Sequence, residues 1–428
     1  MTYGRMARGR SWLVLLVLLA LAVAPRASAE PKPGDRFGAS NVAEIEKMIS
    51  PGVAWCVQHG MPITITETQS IQAPPEYLAA TEKYSSQVKL SKDGRRLENY
   101  VAGMPFPKID PNDPQVAEKI MWNFEFKFLI TDDVDLRNFD ADTGTINSGN
   151  KELTVERHFL LDHLRSMSYV GRLYQDPKPA YEPNTDNIRG KQALYPILEP
   201  FDLKGVGLLS YRYLDPDRQD DTWLYLPSLR RVRRLSSSQR SDALFGQDTD
   251  VDSYYGYAGN PAWMKWKYLG ERDMLGVMHA KNFPVKWAEG SANFAFDDVW
   301  EKRRVHVLEG TPLNPQYAYS KRLIFVDKET YAVLYSDISD RAGQLWKVWI
   351  NDFSFRKAAF SGADTTYPSE MPFLPAIIMV DMQLGHGTKA SLPSTRFAGE
   401  QGWFFNKGEE AGTSPEFFTV ASMTSAGR

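Results

Sequence analysis

The sequence predicts an α+β protein, with three early helices followed by an antiparallel β-sheet. Three observations predict it. Apolar residues recur at helical spacing in three stretches between Asn41 and Phe124. From about Phe126, short strand-like runs alternate with turns rich in Asp, Gly and Pro. No regular succession of strand and helix appears, as a parallel sheet would require.

The chain opens on an export signal. Arg5, Arg8 and Arg10 form a positive segment, Trp12 to Ala24 is apolar, and Ala27-Ser28-Ala29 offers small residues for cleavage. The apolar run is shorter than the roughly 20 residues a membrane span needs. Residues 1–29 are therefore expected to be removed, and the mature chain, from Glu30, to work in the periplasm. No cysteine follows the run to carry a lipid, and no twin arginines precede it.

The first helix is expected after Asn41, with Val42, Ile45, Met48 and Ile49 on one face. The second follows Pro74-Pro75, with Leu78, Thr81 and Tyr84 on one side. The third starts at Asp113-Pro114 and carries Val116, Ile120, Met121 and Phe124. Among the strands, Tyr211–Tyr213 and Trp223–Leu226 form a hairpin around a polar loop. Trp263–Leu269 and Leu275–Ala280 are read as a hairpin turning at Gly270-Glu271-Arg272-Asp273. Val299–Glu309 alternates, and Arg322–Val326, Tyr331–Tyr335 and Leu345–Ile350 form a meander. After about residue 354 the chain reads as an irregular extension. Its most apolar run, Leu374 to Met382, is too short to cross a bilayer and holds Asp381. Residues 30–428 are expected to form a single domain.

Composition narrows the function. Cys56 is the only cysteine, so no intrachain disulfide supports the fold. Loss of residues 1–29 removes Arg5, Arg8, Arg10 and Arg26 and moves the formal net charge from −3 to −7. That balance argues against nucleic acid as partner. The sequence lacks a G-x-S-x-G elbow, H-E-x-x-H, C-x-x-C, a P-loop and G-x-G-x-x-G. No catalytic residue, cofactor or metal site is assigned.

Three constellations remain. Asp248, Asp250 and Asp252 alternate like the start of a calcium loop, but Ser253 and Gly259 stand where an EF-hand wants Gly and Glu. They either hold a cation or form an acidic turn paired with arginines. Arg230, Arg231, Arg233 and Arg234 either contact an anionic head group or partner, or form a solvated strand edge. The aromatics Trp223, Tyr225, Trp263, Trp266, Tyr268, Trp287, Phe294 and Phe296 either line a concave face that binds a hydrophobic ligand or build an ordinary core. The histidines are scattered, and none marks a zinc site or a hydrolytic triad.

Specific stretches resemble a known family. They are Tyr100-Val101-Ala102-Gly103-Met104-Pro105-Phe106-Pro107, Asp113-Pro114, Trp122-Asn123, the run from Trp223 to Arg234, and Arg240-Ser241-Asp242. Together they resemble the exported Gram-negative domain of unknown function 1329. The arginine run, the acidic segment and the late meander are also similar to the lipoprotein-carrier superfamily. That resemblance implies a strongly curved antiparallel sheet, an incomplete barrel, with helices covering the open side and a cavity for acyl chains. It also implies that Asp242, Asp248 and Asp250 answer the arginines, and that the Asp327 turn corresponds in type. Partners implied are a lipid or other hydrophobic molecule, a resistance-nodulation-division-type exporter and an outer-membrane protein. The chain is about twice the length of the simple carriers, at one compact domain per roughly 100–200 residues. The expected function is a non-enzymatic periplasmic carrier of a hydrophobic molecule to or from the outer membrane. The rivals are a structural component of an envelope export complex and a hydrolase of a hydrophobic ester, with a serine beside His306 or His386.

Overall fold

Serine and proline decide where the first helix begins. In the computed structural model, which describes residues 30–427 apart from 130, 237, 238 and 398, strand β1 (Arg36–Phe37) is followed by two short 3-10 turns over Val42–Met48. The α-helix comes only afterwards, as α1 (Pro51–Gln58), with the Ser50 hydroxyl accepting from Val53 N. This shifts the expected first helix. A residue before proline is driven to extended backbone, and Ser50 at φ −80°, ψ 162° stops any helix that would run through it. Ile45 and Ile49 are buried nonetheless. The expected export segment, residues 1–29, lies outside the described residues.

Strand β2 (Ile63–Ile65) pairs with β1, and α2 (Pro75–Tyr84) starts at the expected prolines. Its buried face is Tyr77 and Ala80, while Leu78 is 55% exposed, so the side expected to pack was the wrong one. A small hairpin, β3 (Lys89–Leu90) with β4 (Leu97–Glu98), leads to α3 (Val116–Glu125). There Ile120, Met121 and Phe124 are buried as the spacing predicts.

The rest is β-structure. Strands β5 (Asp133–Ile146) and β6 (Leu153–Ser168) form a long hairpin; at its turn Asn147 Oδ1 accepts from Gly149 N at 2.8 Å. Then come β7 (Ile188–Leu194), β8 (Ile197–Glu199), β9 (Gly207–Tyr213), β10 (Asp221–Leu226) and β11 (Arg231–Leu235). After an excursion follow β12 (Met264–Gly276), β13 (Val299–Pro312), β14 (Lys321–Asp327), β15 (Val333–Ser339) and β16 (Leu345–Arg356). The last are β17 (Met371–Asp381), β18 (His386–Ser391), β19 (Trp403–Phe405) and helix α4 (Val420–Ala426).

Antiparallel pairing runs β11–β10–β9–β7–β6–β5–β18–β17–β16–β15–β14–β13–β12. Strands β11 and β12 are the ends of this path, and no pairing joins them among the described residues. The sheet is therefore curved and incomplete, not a closed barrel, and residues from Pro31 onward form one compact unit around it.

Two expectations about strands are corrected. Residues 263–280 are not a hairpin. β12 runs straight through and pairs with β13 along its length, and Gly270, at φ +98°, sits in a bulge between Tyr268 and Glu271. The region beyond residue 354 is not an irregular extension either, since β17 and β18 lie in the middle of the sheet, between β16 and β5. All eleven residues of β17 are buried. A strand covered on both faces reads as a continuous apolar run without alternation, and Pro372 and Pro375 argue against a central strand. Pro375 is accommodated where the register with β16 slips between Asp352 and Ser354.

Candidate ligand-binding site

Residues 239–258 leave the β11 edge, cross the inner face of the sheet and return to begin β12. This strap is short of regular structure and rich in acids, so it needs partners for every charge it buries. Arg240 supplies the first anchor. Its Nε donates to Asp252 Oδ1 at 2.7 Å and its Nη1 to Asp220 Oδ2 at 2.6 Å. Arg212 reaches the same Asp220 carboxylate at 3.0 Å and the Ala258 carbonyl at 2.6 Å. In mid-strap, Asp248 accepts from the Thr388 hydroxyl and lies 2.9 Å from His386 Nδ1, while Lys347 Nζ donates to its carbonyl at 3.0 Å.

The end of the strap is held from β14 and the turn before it. Asp250 accepts from the Ser253 and Tyr319 hydroxyls, both at 2.6 Å, and Asp252 from the Tyr317 hydroxyl. Arg322, almost wholly buried, donates to the Gly256 carbonyl at 3.0 Å and to Ser253 Oγ at 3.2 Å. Burial pushes the Asp250 carboxyl above its ordinary range, against the pull of Arg322. Burial acts on Asp252 too, but the Arg240 charge and the Tyr317 hydroxyl outweigh it and hold that carboxyl below its ordinary range. Gly256, at φ +91°, passes so close to Val333 that a Cβ would sit 2.4 Å from the Val333 side chain.

Between these anchors the strap bridges a hollow. Leu244 N bonds to Thr249 O at 2.8 Å, closing a tight loop in which Phe245 adopts left-handed backbone at φ +55°. Beneath it lies a small cavity of about 30 Å³. Phe139 and Phe159, Leu161 and Leu194, and Ile197 and Leu208 form its sheet side, and Leu244, Phe245 and Tyr254 its strap side. A second cavity, also of about 30 Å³, shares Phe139 and Tyr254 with the first and continues along Leu164, Trp349, Leu374 and Trp403. Almost every wall atom is carbon, as suits an alkyl chain.

A family model described as "Protein of unknown function (DUF1329)" matches residues 37–424. The chain belongs to this family. The uncharacterized protein PA3922 of Pseudomonas aeruginosa is 23% identical over 375 residues, covering 83% of this chain and 75% of that one. Among solved structures, a domain named for outer-membrane lipoprotein sorting, from Vibrio parahaemolyticus, is 17% identical, with a TM-score of 0.44, over 68% of this chain and 91% of that one. A DUF1329 protein of Desulfovibrio piger is 16% identical, with a TM-score of 0.43, over 68% and 92%. The LolA-superfamily protein NE2245 of Nitrosomonas europaea is 16% identical, with a TM-score of 0.35, over 61% and 84%.

In this DUF1329 chain the eight aromatics expected to line one concave face are dispersed. Trp223 and Tyr225 point to the outer face, where they pack with Met423 and Phe418 beneath α4. Their neighbours Leu224 and Leu226 face the main core instead, by strand alternation. Trp263 donates to the Pro216 carbonyl at 2.9 Å, with the Arg212 and Arg240 guanidiniums over its ring. Trp266 packs edge-on to Tyr257, Tyr268 lies beside His306, and Trp287 donates to the Ser391 hydroxyl. Phe294 and Phe296 are fully buried, Phe296 stacked on Trp300. None of the eight lines either apolar cavity.

The arginine run sits on the end strand of the sheet, which among the described residues pairs only with β10. Arg230 takes left-handed backbone at φ 48° just before β11, and Arg231, Arg233 and Arg234 are exposed on that strand. Arg234 pairs with Asp221. The expected pairing with Asp242, Asp248 and Asp250 is not what the structure places together; Asp248 is taken by His386, Asp250 by tyrosine and serine hydroxyls and Asp252 by Arg240, while Asp242 is exposed. Asp248, Asp250 and Asp252 thus face three different partner sets, and among the described residues no group of three acidic, His or Cys side chains is placed to share a metal ion. His386 meets Asp248 and Glu156, and His306 meets Tyr268 and Glu271.

The lining residues were missed by sequence reasoning because they are ordinary core types on β5, β6 and β9. One signal was available: Leu244-Phe245 is an apolar pair inside an otherwise polar, acidic stretch, where nothing local rewards it.

Proposed function

We propose that this DUF1329 protein is a periplasmic carrier that holds the alkyl chain of a lipid or similar hydrophobic molecule between its curved sheet and the 239–258 strap. One observation carries this reading: two adjoining apolar cavities, each of about 30 Å³, lie under a segment pinned by buried charges. Each has room for roughly one water-sized group as it stands, so an alkyl chain enters only as the strap lifts and the cavities widen. Burying a chain there gains about 0.8 kcal/mol per CH₂ without a covalent bond. Release requires the Leu244–Phe245 loop to move, and a competing acceptor supplies the driving force. The export signal at residues 1–29 would bring the chain to the periplasm, and the exposed arginine edge would meet an acceptor or exporter there.

Native mass spectrometry of the mature protein, purified from the periplasm, with lipid extraction alongside, tests the proposal. A stoichiometric hydrophobic ligand is expected. A bare mass, with no uptake of added fatty acid, would overturn it in favour of a structural role in an envelope complex.

A further inference from the structure

Next to the apolar cavities, between the end of α3 and the inner faces of β6, β7 and β9, lies a larger pocket of about 210 Å³. It shares Leu208 with the first cavity and Gln192 and Tyr255 with the second. Its character is different, because charged and polar side chains converge there.

Two of its cations are already matched. Arg212 and Arg240 are neutralised by Asp220 and Asp252. Two others are under-used. Lys127 is 4% exposed, and its Nζ makes one hydrogen bond, to the Phe124 carbonyl at 2.8 Å, above the Phe124 ring at 3.7 Å. An ammonium has three donors, so two are unspent. Arg189 is 8% exposed, and its Nε is buried without a hydrogen bond, 3.5 Å from the Glu125 carboxylate. Its Nη2 reaches only the Glu125 carbonyl, at 3.3 Å. Lys127 and Arg189 therefore share one carboxylate, Glu125, and leave a positive charge over. Between them and the apolar cavities, Ser166 and Gln192 are cross-strand neighbours that line the pocket. Neither side chain makes a hydrogen bond among the described residues.

Buried donors without acceptors are costly, more so when charged. An anion would satisfy them through charge-assisted hydrogen bonds. Burial already pushes the Lys127 ammonium down to about 7, so an anion arriving beside it would also draw a proton onto that nitrogen.

We propose that this pocket takes the anionic head group, carboxylate or phosphate, of a single-chain amphiphile whose tail enters the adjoining apolar cavities, with Lys127 and Arg189 as its charge partners. The proposal rests on the carrier reading and adds the class of cargo.

The test compares dodecanoate, dodecyl phosphate, dodecan-1-ol and inorganic phosphate, titrated into the mature protein and followed by tryptophan fluorescence and calorimetry. At pH 6 at least one of the two anionic amphiphiles should bind ten-fold or more tighter than the alcohol, and the stronger one names the head group. The preference should shrink as pH rises from 6 to 8, because Lys127 then has to be protonated for binding. Lys127→Met and Arg189→Gln should each remove most of the anion-over-alcohol preference, and Lys127→Arg should keep it. Thermal unfolding of each variant checks that the fold is intact. Equal affinity for acids and alcohol would overturn the head-group site and leave the carrier reading standing. Inorganic phosphate binding as tightly as dodecyl phosphate would overturn the amphiphile assignment. Binding of none of the four would overturn both.

Discussion

Replacing Arg240 by Met isolates what holds the strap over the cavity. The thioether preserves much of the side chain's bulk and removes only the charge and its donors. Two carboxylates then lose a partner: Asp252, 2% exposed, and Asp220, 5% exposed. Breaking a buried ion pair by deleting one member costs about 3–5 kcal/mol. Asp220 keeps Arg212 at 3.0 Å and Asp252 keeps the Tyr317 hydroxyl, so the lower end, about 3 kcal/mol, is expected. Urea unfolding at pH 7 measures it. Adding Asp252→Asn to the Met variant removes the stranded charge and should return about 1 kcal/mol or more. The pH dependence has a definite sign. In the native protein Asp252 ionises below its ordinary range, so its contribution is present above about pH 3.9 and is lost on acidification through the lowered folded value. In the Met variant burial acts with less opposition and raises that value. The deficit relative to native should then be largest at neutral pH and shrink toward pH 4. A loss below about 1 kcal/mol, or a double variant as unstable as the sum of the singles, would refute the argument that the strap is held by this charge network.

Three further outcomes are expected. Both carboxylate oxygens of Asp352 are buried without a hydrogen bond, and burial with the nearby Asp298 charge pushes the group well up. It therefore costs stability increasingly as pH rises above about 3.9. Asp352→Asn should match or exceed native stability at pH 7 in urea melts, with the gain fading toward pH 4. Cys56 is fully buried, and burial together with the Asp337 charge pushes its thiol far up. A thiol reagent should leave the native protein unlabelled over hours and label it stoichiometrically in denaturant. Val206→Phe projects extra bulk into the first of the two apolar cavities. It should abolish uptake of dodecanoate while changing stability by no more than about 1–3 kcal/mol; undiminished uptake would place the ligand elsewhere.

The sequence by itself determined much of the secondary structure. Asp113-Pro114 and the spacing of Ile120, Met121 and Phe124 specify α3 locally. The turns at Asp327–Thr330 and Asp340–Gly343 delimit β14 to β16 in the sequence, even though β15 is buried along its whole length. β17 left no alternation, since a strand buried on both faces has no polar side to mark it. Bulk and aromaticity marked Trp223 and Tyr225 as a ligand lining, but the direction in which they point depends on the pairing of β10 with β9 and β11 and on α4 packing outside. The residues around the hollow are Phe139, Phe159, Leu208 and Phe245, from strands and a loop up to 106 positions apart. A cavity is the space that such side chains fail to fill, a property of how they come together and of none of them singly. Tertiary structure alone therefore decided where the site lies. It also decided that Lys127, one basic residue in the apolar run Phe126-Lys127-Phe128-Leu129, ends buried beside a polar pocket with donors to spare.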